Sequence, residues 1–338
     1  MKAVVCSEPG TVSLETQPVP QRVPGTALLR MTRLGICGTD LHAFAGRQPF
    51  FSYPRILGHE MAAEVVAVDP DAHGLSAGDR VAVVPYIACG HCVACRRGRP
   101  NCCVHLNVLG VHSDGGMREY LLAPVDRLIK HATLTNDQLA LCECLSIGAH
   151  AVRRAAIEPG EQVLVIGAGP IGLGVMQFAH LAGGAVLAMD ISRERLEFAA
   201  GLLPLAGSIN AGEARLKEQL EAATGGDLPT IIFDATGNIR SMMNAFDYLA
   251  HGGRYVLVSL VNAEICFSDP EFHKRETTLL SSRNATVDDF RWVMDAIAQQ
   301  RVQVDSLITH RCSLGETVRH LRRWARPETG VIKAIVEI

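Results

Sequence analysis

The sequence predicts an α/β protein in which a doubly wound parallel sheet is combined with a mostly β domain. Two textures and one glycine-rich turn carry that prediction. The first 150 residues hold short β-like runs at 27–32, 64–68 and 80–84, separated by turns such as Ser76-Ala77-Gly78-Asp79. From residue 151 strands and helices alternate, which implies a parallel sheet with helices on both faces. At the first strand-to-helix junction stands Gly167-Ala168-Gly169-Pro170-Ile171-Gly172.

The elements follow in chain order. Residues 163–166 read as a fully apolar strand and 171–181 as the helix after it. A strand at 186–189 leads into a helix at 193–200, and later strands are expected at 231–234, 255–260 and 278–281. From about residue 288 the chain reads as helix, loop and a final strand at 331–336, and this part returns to the first domain. The organisation expected is 1–150 with 288–338 as one domain and 151–287 as the other. No internal repeat or low-complexity tract is present.

Composition narrows the functional classes. A chain of 338 residues is long enough for two well-buried domains. Its 48% hydrophobic and 20% charged residues suit a soluble globular protein. The net charge of −3 offers no basic field for nucleic acid or anionic lipid. The short run Arg96, Arg97 and Arg99 reads as a solvated loop face. The longest apolar region, 163–189, is interrupted by glycines, Gln177 and His180, so it reads as strand, turn and helix rather than a span of ~20 apolar residues. The N-terminus, MKAVVCSEPG, lacks the apolar stretch of a signal peptide. A cytoplasmic protein without nucleic-acid or membrane partners is expected.

Eleven cysteines, an odd number, favour metal binding or catalysis over disulfides in such a chain. Four of them, Cys89, Cys92, Cys95 and Cys103, stand as C-x2-C-x2-C-x7-C. Closely spaced thiolates on one loop supply the tetrahedron that Zn²⁺ prefers, with no position left for water, so the site is structural. Cys102 beside Cys103 leaves the fourth ligand ambiguous. An iron–sulfur cluster uses the same donors, but nothing else in the chain suggests electron transfer.

A second set of donors is dispersed. Cys37 lies in GICGTDLH, His59 and Glu60 lie in GHE, and Glu143 lies in CEC. A catalytic zinc takes about three protein ligands and keeps one position open, and thiolate, imidazole and carboxylate satisfy that. Singly, Cys37 reads as core and His59 with Glu60 as a surface loop; their co-occurrence with the cysteine lobe argues for metal.

The turn Gly167, Gly169, Pro170, Ile171 and Gly172 follows an apolar strand and opens a helix, the context a Rossmann dinucleotide site requires. The glycines allow the tight turn and the approach of a pyrophosphate to the helix N-terminus. Asp190 ends the next strand, where a carboxylate binds the ribose 2′-hydroxyl and repels a 2′-phosphate, so NAD is expected. Arg193 and Arg195 follow; they are either solvated helix charges or groups that favour a phosphate, and Arg195 is a candidate cofactor contact.

Together these residues resemble the zinc-containing medium-chain dehydrogenases/reductases over essentially the whole chain. The resemblance implies a GroES-like catalytic domain, two zinc ions per chain and NAD. It places Cys37, His59 and Glu143 near the catalytic zinc, with Glu60 as ligand or exchanging neighbour. Glu143, where the alcohol dehydrogenases have cysteine, resembles the polyol and sugar-acid branch; residues 48–55, 108–116 and 281–285 resemble dehydrogenases of L-galactonate or L-gulonate at carbon 5. Cys142 and Cys144 flank Glu143, and Cys144 stands where the family often has proline.

The expected reaction removes hydride from a secondary hydroxyl whose pKa zinc has lowered, and passes it to the nicotinamide. By resemblance, Thr39 and His42 carry the hydroxyl proton to solvent; otherwise they are a turn residue and a satisfied polar group. Arg283, near the end of a predicted strand, would pair with a sugar-acid carboxylate or serve in a structural ion pair. His112 is a second candidate substrate contact. Rival readings are a threonine-type or neutral-polyol dehydrogenase, and a catalytically silent protein that binds zinc and NAD. A zinc-free quinone reductase is disfavoured by Cys37, His59 and the lobe. Residues 264–267 (EICF) alternate polar and apolar, as an edge strand that pairs with its copy would, so a homodimer or homotetramer is expected.

Overall fold

The computed structural model describes every residue except Pro49, Phe50 and Asp71, and the chain divides into two compact units, Met1–Cys144 with Ala285–Ile338, and Leu145–Asn284. Both divisions fall a few residues before the expected 150 and 287, the first inside the helix Asn136–Ala155. Of the tract at 48–55, Pro49 and Phe50 lie outside the described residues.

The first unit is organised around the strand Thr26–Ile36. It pairs antiparallel with Glu60–Ala67, Tyr120–Pro124 and Lys333–Glu337. Arg80–Val83 and Leu128–Lys130 extend the sheet on one side, and Ile308–Ser313 lies parallel to Lys333–Glu337 on the other. Alternation along the central strand sends Ala27, Leu29, Met31 and Leu34 into a core shared with Val65, Val81 and Val83. The register sets Gly35 opposite Glu60 and Ile36 opposite Ala334. Three strand ends therefore meet just before Cys37, and that meeting point positions the metal-binding side chains described below.

The second unit holds a six-stranded parallel sheet. Its spatial order is Gly207–Asn210, Ala185–Asp190, Gln162–Ile166, Ile231–Asp234, Arg254–Leu257 and Thr278–Ser281. That order reverses direction between Gln162–Ile166 and Ile231–Asp234, and ligands bind at such a switch point beyond the carboxyl ends of the strands. The short polar strand Gly207–Asn210 (GSIN) has no apolar run to betray it in the sequence. Residues 264–267, expected as an edge strand, are irregular, and Thr278–Ser281 holds the edge. Phe267 instead joins a ring cluster, centred 5.0 Å from Phe246 and 4.7 Å from Phe272, while one part of it stays exposed.

The glycine turn joins Gln162–Ile166 to the helix Pro170–Leu181. Gly167 sits at φ +98°, a conformation that side chains disfavour. A Cβ on Gly172 would lie 1.7 Å from the Gly167 carbonyl oxygen. Because the obstacle is backbone, it cannot swing aside. Gly172→Ala is therefore expected to cost about 1–3 kcal/mol of stability by overpacking, read as a lowered urea midpoint; an unchanged midpoint would show that the turn has more room than this.

Candidate active site

The four-cysteine lobe forms on a loop stiffened by the short helices Val93–Arg96 and Pro100–Cys102. The sulfurs of Cys89, Cys92, Cys95 and Cys103 all lie within 4.8 Å of one another, while Cys102 is exposed and outside the group. Cys92 Sγ is 3.4 Å from Cys95 Sγ and 3.9 Å from Cys103 Sγ. A tetrahedron with Zn–S bonds of about 2.3 Å has edges of roughly 3.8 Å, so the lobe fits a structural zinc. Backbone N–H groups of Cys95 and Val104 hold the Cys92 thiol down to about 6, which favours the thiolate a metal needs.

The dispersed donors converge within the first unit. Ligand atoms of Cys37, His59 and Glu60 lie within 4.8 Å of one another. Cys37 follows the central strand directly and caps the helix Gly38–Phe44. The buried Asp40 ties this corner together: its carboxylate accepts the Cys37 N–H at 2.9 Å and the Gly58 N–H at 3.0 Å. The same carboxylate stands 3.6 Å from His59 Nδ1, a buried nitrogen with no hydrogen-bond partner. A carboxylate behind a histidine fixes the ring for metal binding through the other nitrogen. Burial alone would lower the His59 pKa, but the negative charges of Asp40 and Cys37 outweigh it and hold it well above its ordinary value. Sulfur, imidazole and carboxylate are the donor chemistry of a catalytic zinc, which takes three protein ligands and a substrate or water oxygen.

Glu60 has a partner that sequence reading missed. Lys333 Nζ donates to both its oxygens, at 2.6 and 2.9 Å, and to the Ile36 carbonyl at 3.3 Å. Lysine and glutamate are 2% and 0% exposed, so this ion pair is sealed from solvent. The carboxylate folds across Gly35, where a Cβ would lie 2.0 Å from Oε2. A single lysine within the apolar run VIKAIV was the available signal for Lys333; for Asp40 it was the N3 position after Cys37.

Glu143, on the helix Asn136–Ala155, stands outside the group of three. Its carboxylate accepts a hydrogen bond from the phenol of Tyr86, and both residues are buried. Burial raises the Glu143 pKa; His59 opposes this and Glu60 adds to it. Cys142 and Cys144 are buried, and Cys142 donates to the Gln138 carbonyl at 3.2 Å.

The second unit carries a cavity of about 570 Å³ at the switch point, lined among others by Gly167, Gly169, Asp190, Arg195 and Arg240. A Cβ on Gly169 would meet nothing nearer than Arg195 Nη1 at 3.6 Å. The face beside Gly169 is thus open to a phosphate at the helix N-terminus. Asp190 is held by the N–H groups of Ala168 at 2.6 Å and Ser192 at 2.8 Å. Each oxygen keeps a second lone pair for a ribose hydroxyl. Arg193 is largely exposed, 4.0 Å from Glu213.

The remaining candidates are spread out. Thr39 is half-buried and His42 exposed, three residues apart on one helix face. Burial and Arg47 lower the His42 pKa. His112 Nδ1 accepts the Val108 N–H at 3.0 Å, which gives that nitrogen a structural task. Arg283 is exposed and belongs to the other unit, outside the Cys37 group.

Comparison with known proteins adds the following. Residues 23–133 match the family of the alcohol dehydrogenase GroES-like domain, and residues 170–299 match zinc-binding dehydrogenase. The chain is 45% identical over 320 residues to an L-galactonate-5-dehydrogenase of Escherichia coli K12, covering 94% of each chain. It is 30% identical to a sorbitol dehydrogenase of Bacillus subtilis 168, covering 99% of this chain and 97% of that one. A crystal structure of a short chain alcohol dehydrogenase from Escherichia coli CFT073, complexed with the cofactor NADH, gives a TM-score of 0.93 at 28% identity, over 100% of this chain and 99% of that one.

Removing one member of a buried ion pair strands the other. Lys333→Met is expected to destabilise the metal-free protein by about 3–5 kcal/mol, and Lys333→Met/Glu60→Gln to recover much of that. Urea unfolding of the two variants checks this; equal stability of Lys333→Met and the parent protein would refute it.

Proposed function

The chain belongs to the zinc-binding alcohol dehydrogenase family, and from that premise we propose that it oxidises a secondary hydroxyl of a polyol or sugar acid with transfer of hydride to NAD. An aldonate such as L-galactonate or L-gulonate is the substrate class. The observation that carries the reading is the group of Cys37, His59 and Glu60, whose sulfur, imidazole and carboxylate ligand atoms lie within 4.8 Å of one another. The likeness to an L-galactonate-5-dehydrogenase supports the substrate class.

Cys37, His59 and Glu60 hold the catalytic zinc in this reading, and Cys89, Cys92, Cys95 and Cys103 hold a structural one. Bound zinc supplies Lewis acidity that lowers the pKa of the substrate hydroxyl. Bound NAD supplies the hydride acceptor. Asp40 orients the His59 ring and Lys333 fixes the Glu60 carboxylate. Gly167, Gly169 and Gly172 make room for the pyrophosphate, with Pro170 and Ile171 opening the helix whose N-terminus faces it. Asp190 takes the ribose hydroxyls and disfavours a 2′-phosphate, and Arg195 flanks the same cavity. Thr39 would take the hydroxyl proton as it gives up its own, and the proton would pass through the cofactor ribose to His42 and on to solvent.

Eleven free thiols suit a reducing, cytoplasmic setting, and fractionation that found the protein outside the cytoplasm would overturn this assignment. Among the described residues no helix is long and apolar enough to cross a membrane. We assign a homodimer or homotetramer, because Leu279 is exposed in the edge strand Thr278–Ser281 and the same unit also exposes Leu260 and Phe267. Light scattering that gave only the monomer mass would refute it.

NADH formation measured over L-galactonate, L-gulonate and neutral polyols tests the substrate class. Aldonates are expected to give the highest kcat/KM, and Arg283→Lys is expected to raise KM for aldonates while sparing neutral polyols. Preference for sorbitol would favour the second reading, a neutral-polyol dehydrogenase. Binding of zinc and NAD without turnover of any of them would make the protein catalytically silent. The relay makes a separate prediction. Because its pKa is lowered, His42 is neutral and able to accept a proton until pH falls below the ordinary histidine range. The rate should drop on that acid side, and His42→Ala should slow oxidation by about 10²-fold or more and abolish that limb. An unchanged pH–rate profile would remove His42 from the pathway.

A further inference from the structure

Two buried carboxylates serve the Cys37–His59 corner, and each has one dedicated partner. Glu60 is held by Lys333. Glu143 is held by the phenol of Tyr86. We propose that Tyr86 is a positioning residue that keeps Glu143 out of the metal-binding group, so that Glu60 alone is the carboxylate donor. The proposal rests on the reading that Cys37, His59 and Glu60 hold the metal.

The phenol is well placed for this. Tyr86 is 5% exposed and its ring is backed edge-on by Phe290, 6.5 Å away at 75°. It opens the two-residue strand Tyr86–Ile87, paired in register with Asn107–Val108. Cys89 of the four-cysteine lobe follows three residues later, so a metal in the lobe would anchor the segment that carries the ring. The hydrogen bond occupies Glu143 Oε1, and the carboxylate lies outside the 4.8 Å group that includes Glu60. Without the hydroxyl, Glu143 would be a buried carboxylate missing its donor, which is costly. A divalent cation nearby would then be its strongest available partner.

Charge shows why exclusion matters. Cys37 and Glu60 would bring two anionic donors to a divalent ion, with the Lys333 ammonium behind Glu60 offsetting one of them. Glu143 as a third anionic donor would lower the ion's Lewis acidity and weaken its pull on a substrate hydroxyl. It would also fill the open position that substrate needs. A neutral phenol satisfies Glu143 without adding charge to the corner, a task that a lysine or arginine could not perform in the same way.

The test uses the full-length protein with Co²⁺ in place of zinc, because visible absorption of Co²⁺ reports its donor set. Tyr86→Phe is expected to change the visible spectrum and to tighten Co²⁺ binding in chelator competition by about 10-fold, the scale on which outer partners of ligands act. A merely structural role for Tyr86 would loosen binding instead. Tyr86→Phe/Glu143→Gln should return both readouts to the parent values, and Glu143→Gln alone should leave the spectrum unchanged. An unchanged spectrum in Tyr86→Phe, or looser binding, overturns the proposal. So does a changed spectrum in Glu143→Gln alone, an arm that decides the matter even if Tyr86→Phe fails to fold. Cys37→Ser separates the two levels. Loss of one of two metal equivalents in that variant sustains the underlying site whatever Tyr86 does. A parent protein that carries metal in the cysteine lobe only would fail the site and the proposal together.

Discussion

The ammonium of Lys333 and the carboxylate of Glu60 form a pair with no solvent to share the charge, and the geometry of the metal-binding corner depends on it. Burying two ions costs several kcal/mol each unless their contact is close and their remaining donors are used. Both conditions are met here, since the lysine reaches both oxygens at 2.6 and 2.9 Å and the Ile36 carbonyl at 3.3 Å. Fixing Glu60 also constrains His59, its neighbour in the chain. Gly35 is the other half of the arrangement, because only a residue without a side chain leaves room for the carboxylate at that cross-strand position. Asp40 completes it by accepting the backbone N–H groups of both Cys37 and Gly58. Three strands, one helix turn and one loop thus converge on one buried polar corner inside an apolar sheet.

The two metal-binding groups of the first unit illustrate different uses of similar chemistry. The cysteine lobe is saturated: four sulfurs at tetrahedral spacing leave nowhere for substrate. The Cys37 group is unsaturated, and its surroundings are charged rather than merely polar. Lys333 supplies a positive charge, Asp40 and Glu143 supply negative ones, and the donors are mixed. Such a site can be tuned by small displacements of its neighbours, whereas the lobe is either formed or not.

Much of this was legible in the amino-acid order. The glycine turn, the apolar strands at 163–166 and 231–234, and the cysteine spacing each encode a local requirement of backbone or metal, so short-range reading finds them. What escaped was decided by distant partners. Tyr86 and Glu143 are 57 residues apart and nothing in either neighbourhood announces the other. GSIN at 207–210 becomes a strand only because Ala185–Asp190 offers it a ladder. EICF alternates like a strand, yet its phenylalanine is better accommodated by the rings of Phe246 and Phe272. The fourth cysteine, ambiguous between Cys102 and Cys103 in sequence, is settled by where the loop turns: Cys103 is buried among the other sulfurs and Cys102 faces solvent.

Lys333 also bears on the order in which this protein can assemble. It is separated from Glu60 by 273 residues, with the entire parallel-sheet unit lying between them in the chain. A ribosome finishes that intervening unit well before it makes the lysine, and units generally fold as they emerge. Until then Glu60 has no countercharge, and the strand Thr26–Ile36 lacks one of its neighbours. Closing so long a loop is slow but adds little further entropic cost per residue. The nascent chain therefore holds a nucleotide-binding fold that is complete and a metal-binding corner that is not. The charge pair at the corner can thus close only when translation is nearly over, a timing set by the connectivity alone.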